Sequence, residues 1–349
     1  MQLTSYPFTV HKRFPLTISR GTTAQTTNIQ VCIQHEEIEG WGEASPFSVR
    51  RNQGAATDML QELQRLAPAL EQFEPLDRQP IETLLKQKQT SSAVQAAIDM
   101  ALYDWMGKRA KLPLWQLWGL NCSQVAPISV TVGIGTPQDA RQRVRNWQQV
   151  TEPTIIKIKL GSPQGITADQ AMLLAVREEA PTAQLTVDAN GGWSLPEALS
   201  MCDWLWGQGV EYVEQPLAVG EEEQLGTLSA RSPLPIFVDE SCFTSHDVPR
   251  LAECVSGINI KVMKTGGLTE AMRTIHVAKA CGLKVMFGCY SDSTLANTAM
   301  AHLSPLADYL DLDSHLNLID DPFTGAVMQA GRLLPTDLPG LGVKYRDQG

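Results

Sequence analysis

The sequence predicts an α/β protein built on a closed parallel β-barrel, with an α+β segment ahead of it. Two observations carry this prediction. From about Ala126 onward, short apolar strands alternate with amphipathic stretches, whereas the first hundred or so residues follow a different pattern. Three successive strands of the later region also end in an acid, as expected where a parallel barrel presents its working face.

The early stretches FTVHK, PLTIS, NIQVCIQHE and GWGEASP read as strands, the third with apolar-polar alternation. Apolar spacing predicts a helix from about Thr57 to Leu70, and the run from Ser91 to Ala110 is rich in helix formers. An α+β domain of about 115 residues fits, and it is bounded at residues 1–118. Residues 119–322 then carry eight strands: PISVTVG, TIIKIKLG, QLTVDAN, VEYVEQP, PIFVDES, GINIKV, KVMFGC and YLDLDS. ADQAMLLAVREEA, LPEALSMCDWLWGQG and LTEAMRTIHVAKACG are helices between them, the last two closing on Gly. Eight βα units in one run imply a barrel rather than an open sheet. The Gly/Pro-rich segment 323–349 is expected to return to the first domain.

Composition excludes several classes. With 43% hydrophobic and 19% charged residues the chain is an ordinary globular protein. Its net charge of −10 and the lack of a basic cluster interleaved with aromatic residues argue against nucleic acid as a partner. No apolar run approaches the roughly 18 residues of a membrane helix, and the start MQLTSYPFTV has no leader pattern, so a cytoplasmic protein without a membrane partner is expected. A homo-oligomer is also expected. Seven cysteines without CxxC or Cys/His spacing read as reduced, mostly buried thiols. The GxG at Gly133-Ile134-Gly135 lacks a third Gly and is no dinucleotide fingerprint.

The chemistry lies at the strand ends. The third strand ends in Asp188, the fourth in Glu214 and the fifth in Asp239. One such acid is commonly solvated or paired with a helix N-terminus. Three on neighbouring strands, about 4.8 Å apart, can converge on one cation. Oxygen ligands favour Mg²⁺, with Mn²⁺ as the alternative. Asn190 shares the parity of Asp188 and is either a further polar contact or a turn residue before Gly191-Gly192.

The second strand places Lys157 and Lys159 on one face, with isoleucines on the other. Burial, mutual repulsion and a nearby cation should lower the lysine pKa toward values useful for a base. On the sixth strand Lys261 has inward parity and lies opposite the second strand around an eight-membered ring. Lys264 falls beyond the strand, where a loop or surface place is expected. A carbon acid held between Lys159 and Lys261 could lose a proton to one and regain it from the other, as in a racemase or epimerase. Lys157 is the candidate for a second cation beside the developing enediolate.

GWGEASP, the helix AAIDMALYDWMGK, Lys157-x-Lys159, Asp188, Glu214, Asp239-Glu240-Ser241 and NIKVMKTGG together resemble the enolase superfamily, specifically its muconate-lactonizing subgroup, over nearly the whole chain. Sites of this superfamily use Lys or His bases with Mg²⁺. The resemblance implies a (β/α)7β TIM-like barrel under an α+β capping domain completed by the C-terminal tail. It assigns metal ligation to Asp188, Glu214 and Asp239, and opposed acid/base roles to Lys159 and Lys261. Within the subgroup, Asp311-Leu312-Asp313 on the eighth strand resembles the dipeptide epimerases, where such a pair binds the substrate's α-ammonium group. The implied substrate is a dipeptide. Arg20, in the early loop that folds over the site in this family, would pair with an acidic second residue, as in L-Ala-D/L-Glu of peptidoglycan. Thr131, inward on the first strand, is a further substrate contact. Relatives often carry Met and Glu at the positions of Tyr290 and Asp292, so the pocket differs there.

Competing readings are a lyase on the same scaffold, such as o-succinylbenzoate synthase, a metal-free Schiff-base aldolase, and a non-enzymatic binding protein. Asp311 and Asp313 argue against the lyase, whose anionic substrate has no ammonium to meet them.

Overall fold

The structure, a computed structural model, describes residues 1–47, 49 and 55–347. β1 (Gln2–Ile18), β2 (Gly21–His35) and β3 (Ile38–Ala44) form an antiparallel sheet in chain order. FTVHK and PLTIS are therefore one strand rather than two. The β1–β2 register shifts between His11 and Leu16, and that irregularity interrupts the side-chain alternation.

Helices α1 (Ala56–Leu70), α2 (Arg78–Gln87) and α3 (Ser92–Ala110) follow. The sequence does not announce α2, which buries only Ile81 and Leu85. α3 is apolar around its circumference because it lies between the sheet and the barrel. Gly40 and Gly42 make that packing possible, since a Cβ on either would strike the carbonyl of Ala101 or Ala97 on α3.

After the short α4 (Leu114–Leu117), eight parallel strands hydrogen-bond in chain order: β4 (Val130–Val132), β5 (Ile155–Lys159), β6 (Gln184–Asp188), β7 (Val210–Glu214), β8 (Ile236–Val238), β9 (Gly257–Ile260), β10 (Lys284–Gly288) and β11 (Tyr309–Asp311). An Ile128–Leu310 bridge closes the ring, with Ser129 N donating to Leu310 O at 2.8 Å. Outward residues such as Ile156, Ile158, Val187, Val213 and Ile258 are buried beneath the helices. The inward row is polar near the strand ends and aromatic below them. Tyr212, Phe237 and Tyr309 pack with centroids 4.8 to 5.4 Å apart and close the barrel floor, joined by Met286. Gly257 leaves room for the Phe237 ring.

The connecting helices are α5 (Pro137–Val150), α6 (Ile166–Glu179), α7 (Leu195–Gly207), α8 (Leu225–Arg231), α9 (Val248–Leu251), the pair α10 (Val262–Thr265) and α11 (Leu268–Ala280), and α12 (Thr294–Ala301). α7 and α11 end as expected, with Gly209 and Gly282 at φ +71° and +76°. Thr136 and Pro137, which follow the GxG, open α5 with a capping box and an N-terminal Pro. Eight full βα units are not found. Among the described residues β11 is followed by one 3₁₀ turn, Ser314–Asn317, so the barrel is (β/α)7β. The chain leaves the ring there because it must cross back to the sheet.

That return is made by β12 (Phe323–Thr324), paired with Lys344–Tyr345. Phe323 packs edge-on to Phe8 at 5.4 Å, and the Tyr345 hydroxyl donates to Gln30 Oε1 at 2.6 Å. Buried Asp104 on α3 accepts from Leu341 N and Trp41 N, both at 2.8 Å, and from Lys108 at 2.7 Å. Glu43 of GWGEASP reaches from β3 to the N-terminus of α12, accepting from Ser293 N at 2.9 Å and Ala296 N at 3.2 Å. No helix among the described residues is long and apolar enough to cross a membrane.

Candidate active site

Register gathers the acids. Lys159, Asp188 and Glu214 are laterally paired across β5, β6 and β7, and Asp239 follows the end of β8. All three carboxylates are fully buried. Lys159 Nζ donates to Asp188 Oδ2 at 2.5 Å, and Lys261 Nζ stands 2.7 Å from Asp239 Oδ2. Lys157 lies one layer deeper, 2.6 Å from both Glu214 Oε2 and Asp311 Oδ2. It thus spans the barrel between β7 and β11, beneath the cavity rather than on its wall.

Lowered lysine pKa values do not result at Lys157 and Lys261. Burial opposes their charge, but Asp311, Glu214 and Asp188 outweigh it at Lys157, while Asp239, Glu240 and Glu214 outweigh it at Lys261, and both stand above an ordinary lysine. Among the acids, burial and the neighbouring Asp188 push Glu214 up to about 7. Asp188 and Asp239 go the other way: burial opposes ionisation, yet their lysine partners hold both below the usual range.

Lys264 is neither a loop nor a surface residue. It is buried on α10, donating to Asp239 Oδ1 at 2.5 Å, Asp239 O at 2.6 Å, and Cys242 O and Asn259 O at 2.9 Å each. The chain turns helical directly after Lys261, so the i, i+3 spacing carries Lys264 to the same side. Lys264→Met should lower the unfolding free energy by about 3 kcal/mol or more, because a buried carboxylate and three carbonyls lose their donor. Urea denaturation checks this, and a midpoint equal to wild type would contradict it.

Arg20 sits at the β1–β2 turn, but its guanidinium is engaged, with Nη2 2.8 Å from Glu240 Oε1 and Nη1 3.2 Å from Asn190 O. Asn190 is both things the sequence offered. Its φ of +46° makes the turn, and its Nδ2 lies 3.1 Å from Asp188 Oδ2. Glu240 and Asn259 stand in motifs quoted from the sequence but receive no role there. Glu240 follows the end of β8, where parity no longer predicts direction, and Asn259 donates to Glu214 Oε1 at 2.8 Å.

On the far side of the ring, Asp311 Oδ1 accepts from Ser129 Oγ at 2.9 Å, and Asp313 Oδ2 accepts from Thr131 N at 2.7 Å. Burial and Asp311 push Asp313 up to about 6, whereas Lys157 and Lys159 overcome burial to hold Asp311 low.

A cavity of about 690 Å³ opens above these groups. Lys159 and Lys261 line it together with Leu16, Ile18, Phe47 and Tyr290. Tyr290 stacks on Phe47 at 4.5 Å, and its ring lies 4.3 Å from Lys261 Nζ. Gly288 keeps the lane open for Lys261, whose Cε would be 2.8 Å from an added Cβ. Asp292 turns away, its Oδ2 accepting from Tyr290 N at 3.2 Å. Cys289 also lines the cavity, with burial pushing its thiol up, and none of the seven cysteines is paired. They are less buried than expected, only Cys202 and Cys242 being fully so.

The acid cluster has the chemistry of a cation site. Glu214 Oε2, Asp239 Oδ2, Glu240 Oε2 and Asn190 Oδ1 are buried oxygens without a hydrogen-bond donor, the first two touched by lysines only as ion pairs. As the side chains stand, no three acids, cysteines or histidines among the described residues enclose one ion, because Asp188 and Asp239 lean onto lysines. Three carboxylates on adjacent strand ends, with neither thiolate nor imidazole, suit a hard divalent ion.

Residues 3–119 match the family described as mandelate racemase / muconate lactonizing enzyme, N-terminal domain, and residues 139–349 match the enolase C-terminal domain-like family. The chain is 42% identical to a hydrophobic dipeptide epimerase of a Flavobacteria bacterium, covering 100% of this chain and 99% of that protein. It is 44% identical to another from Roseobacter litoralis, covering 95% of each. Among solved structures, dipeptide epimerase from Cytophaga hutchinsonii complexed with Mg and D-Ala-L-Val superposes with a TM-score of 0.93 at 28% identity, over 100% of this chain and 97% of that one. The chain therefore belongs to the enolase superfamily, in its mandelate racemase / muconate-lactonizing branch.

Proposed function

We propose that this protein epimerises dipeptides at the α-carbon of the C-terminal residue, with Mg²⁺ held by Asp188, Glu214 and Asp239. One observation carries the reading. Lys159 on β5 and Lys261 just after β9 are four strands apart in an eight-strand ring, and both line one cavity. A substrate α-carbon between them presents one face to each.

When bound, the cation would supply Lewis-acid stabilisation of the negative charge that develops on the substrate. The chain does the rest. One lysine, as the free amine, takes the α-proton and leaves the electron pair in the enediolate. The other, as the ammonium, returns a proton to the opposite face. Lys157 adds fixed positive charge beneath. Asp311 and Asp313, on the arc opposite the metal acids, receive the α-ammonium group, with Thr131 orienting them.

Because Arg20 already pairs with Glu240, and Leu16, Ile18, Phe47 and Tyr290 line the cavity, an apolar second residue is favoured over glutamate. This agrees with the name shared by the relatives from the Flavobacteria bacterium and Roseobacter litoralis. Arg20 still lines the cavity, so L-Ala-L-Glu is the acidic member to compare.

The test is incubation with Mg²⁺ and a dipeptide panel in D₂O, followed by NMR. L-Ala-L-Leu should gain deuterium at the second α-carbon and yield its diastereomer, faster than L-Ala-L-Glu. Absence of exchange in every dipeptide would remove the proposal. EDTA should stop the reaction. Borohydride trapping of a substrate adduct would instead identify a Schiff-base aldolase.

A further inference from the structure

We propose that Lys12 reads the charge of the dipeptide's first side chain, admitting neutral and acidic residues and excluding cationic ones. This rests on the epimerase reading above. Lys12, on β1, is 9% exposed and lines both the main cavity and the small recess that holds Asp311, Asp313 and Thr131. Among the described residues it has neither an ion pair nor a side-chain hydrogen bond, in contrast to Lys157, Lys159, Lys261, Lys264 and Arg20.

Its backbone is fixed. Lys12 bridges Leu318, Ile319 N donates to His11 O at 3.0 Å, and Asn317 clamps Phe14 through N and O at 2.8 Å each. From that fixed point the side chain lines both the main cavity and the recess of Asp311 and Asp313.

The charges there are nearly balanced. Asp311 shares the Lys157 ammonium with Glu214, each at 2.6 Å, and Asp311 and Asp313 together face the substrate's α-ammonium. Lys12 lies in the field of the Asp313 and Asp292 carboxylates, with burial opposing its charge. A cationic first side chain would add a further positive charge beside Lys12 and the α-ammonium in a low-dielectric recess. An acidic first side chain would find Lys12 unpartnered.

The experiment measures kcat/KM for L-Lys-L-Ala, L-Ala-L-Ala, L-Glu-L-Ala and L-Ala-L-Lys with wild type, Lys12→Met and Lys12→Glu. The ratio of L-Lys-L-Ala to L-Ala-L-Ala should rise about tenfold in Lys12→Met and further in Lys12→Glu, while L-Glu-L-Ala loses ground. The ratio is independent of how much enzyme folds, and a merely structural lysine would leave it unmoved. A ratio constant within error in both variants overturns the proposal. So does a change that follows the second residue's charge, seen with L-Ala-L-Lys. Wild-type turnover of L-Ala-L-Ala separates these outcomes from failure of the epimerase reading itself.

Discussion

Lys159→Ala and Lys261→Ala should each abolish epimerisation, lowering kcat by at least about a thousandfold. The two lysines approach from opposite walls, so neither can do the other's work. Each variant should still exchange the α-proton of one diastereomer in D₂O, because the remaining lysine can remove and return a proton on its own face. The two variants should therefore differ in which diastereomer exchanges, a pattern that a simple loss of folding cannot produce. Full epimerisation by Lys261→Ala would move the role elsewhere, and Lys264 is poorly placed to take it, since its ammonium is buried against Asp239 and three carbonyls.

Glu214→Gln should be the most damaging single change among the acids, with activity down by at least about a hundredfold and Mg²⁺ affinity reduced. Glu214 sits between Asp188 and Asp239 in the strand order, and one of its oxygens already has Asn259 as donor. The substitution keeps shape and removes charge. Calorimetric titration with Mg²⁺, beside D₂O exchange, checks both halves of the statement. A variant that binds Mg²⁺ and turns over like wild type would displace Glu214 from the site.

Much of this was legible in the residues because a barrel writes its two faces in alternate positions. Ile156-Lys157-Ile158-Lys159 states which side chains point inward, and Val187-Asp188 and Val213-Glu214 repeat it. The eight barrel strands themselves were legible as short apolar runs alternating with amphipathic stretches. Parity fails where strands stop, so Glu240 receives no role and Lys264 is wrongly expected in a loop or on the surface. Each depends on the local turn after its strand. Arg20 shows another limit, since a sequence reveals a cation near the site but not the acid, Glu240, that already holds it. The shift in register inside β1 was likewise invisible, because a bulge resembles a loop in an alternating pattern. Lys12 lay inside FTVHK and looked like any strand lysine until Leu318 and Asn317 were seen to pin its surroundings.

The stitching of the tail to the first sheet bears on the order in which the molecule is made. Tyr345 reaches Gln30 across 315 residues, and Leu341 reaches Asp104 across 237. Contacts of such separation form late, since the intervening chain must first be gathered in. During synthesis β1–β3 and α3 emerge before the barrel, yet Gln30 and one oxygen of Asp104 wait for partners at residues 345 and 341. The barrel can therefore finish its ring while the cover above it is still unfastened, and a stretch of chain that emerges after the barrel is the one that latches it.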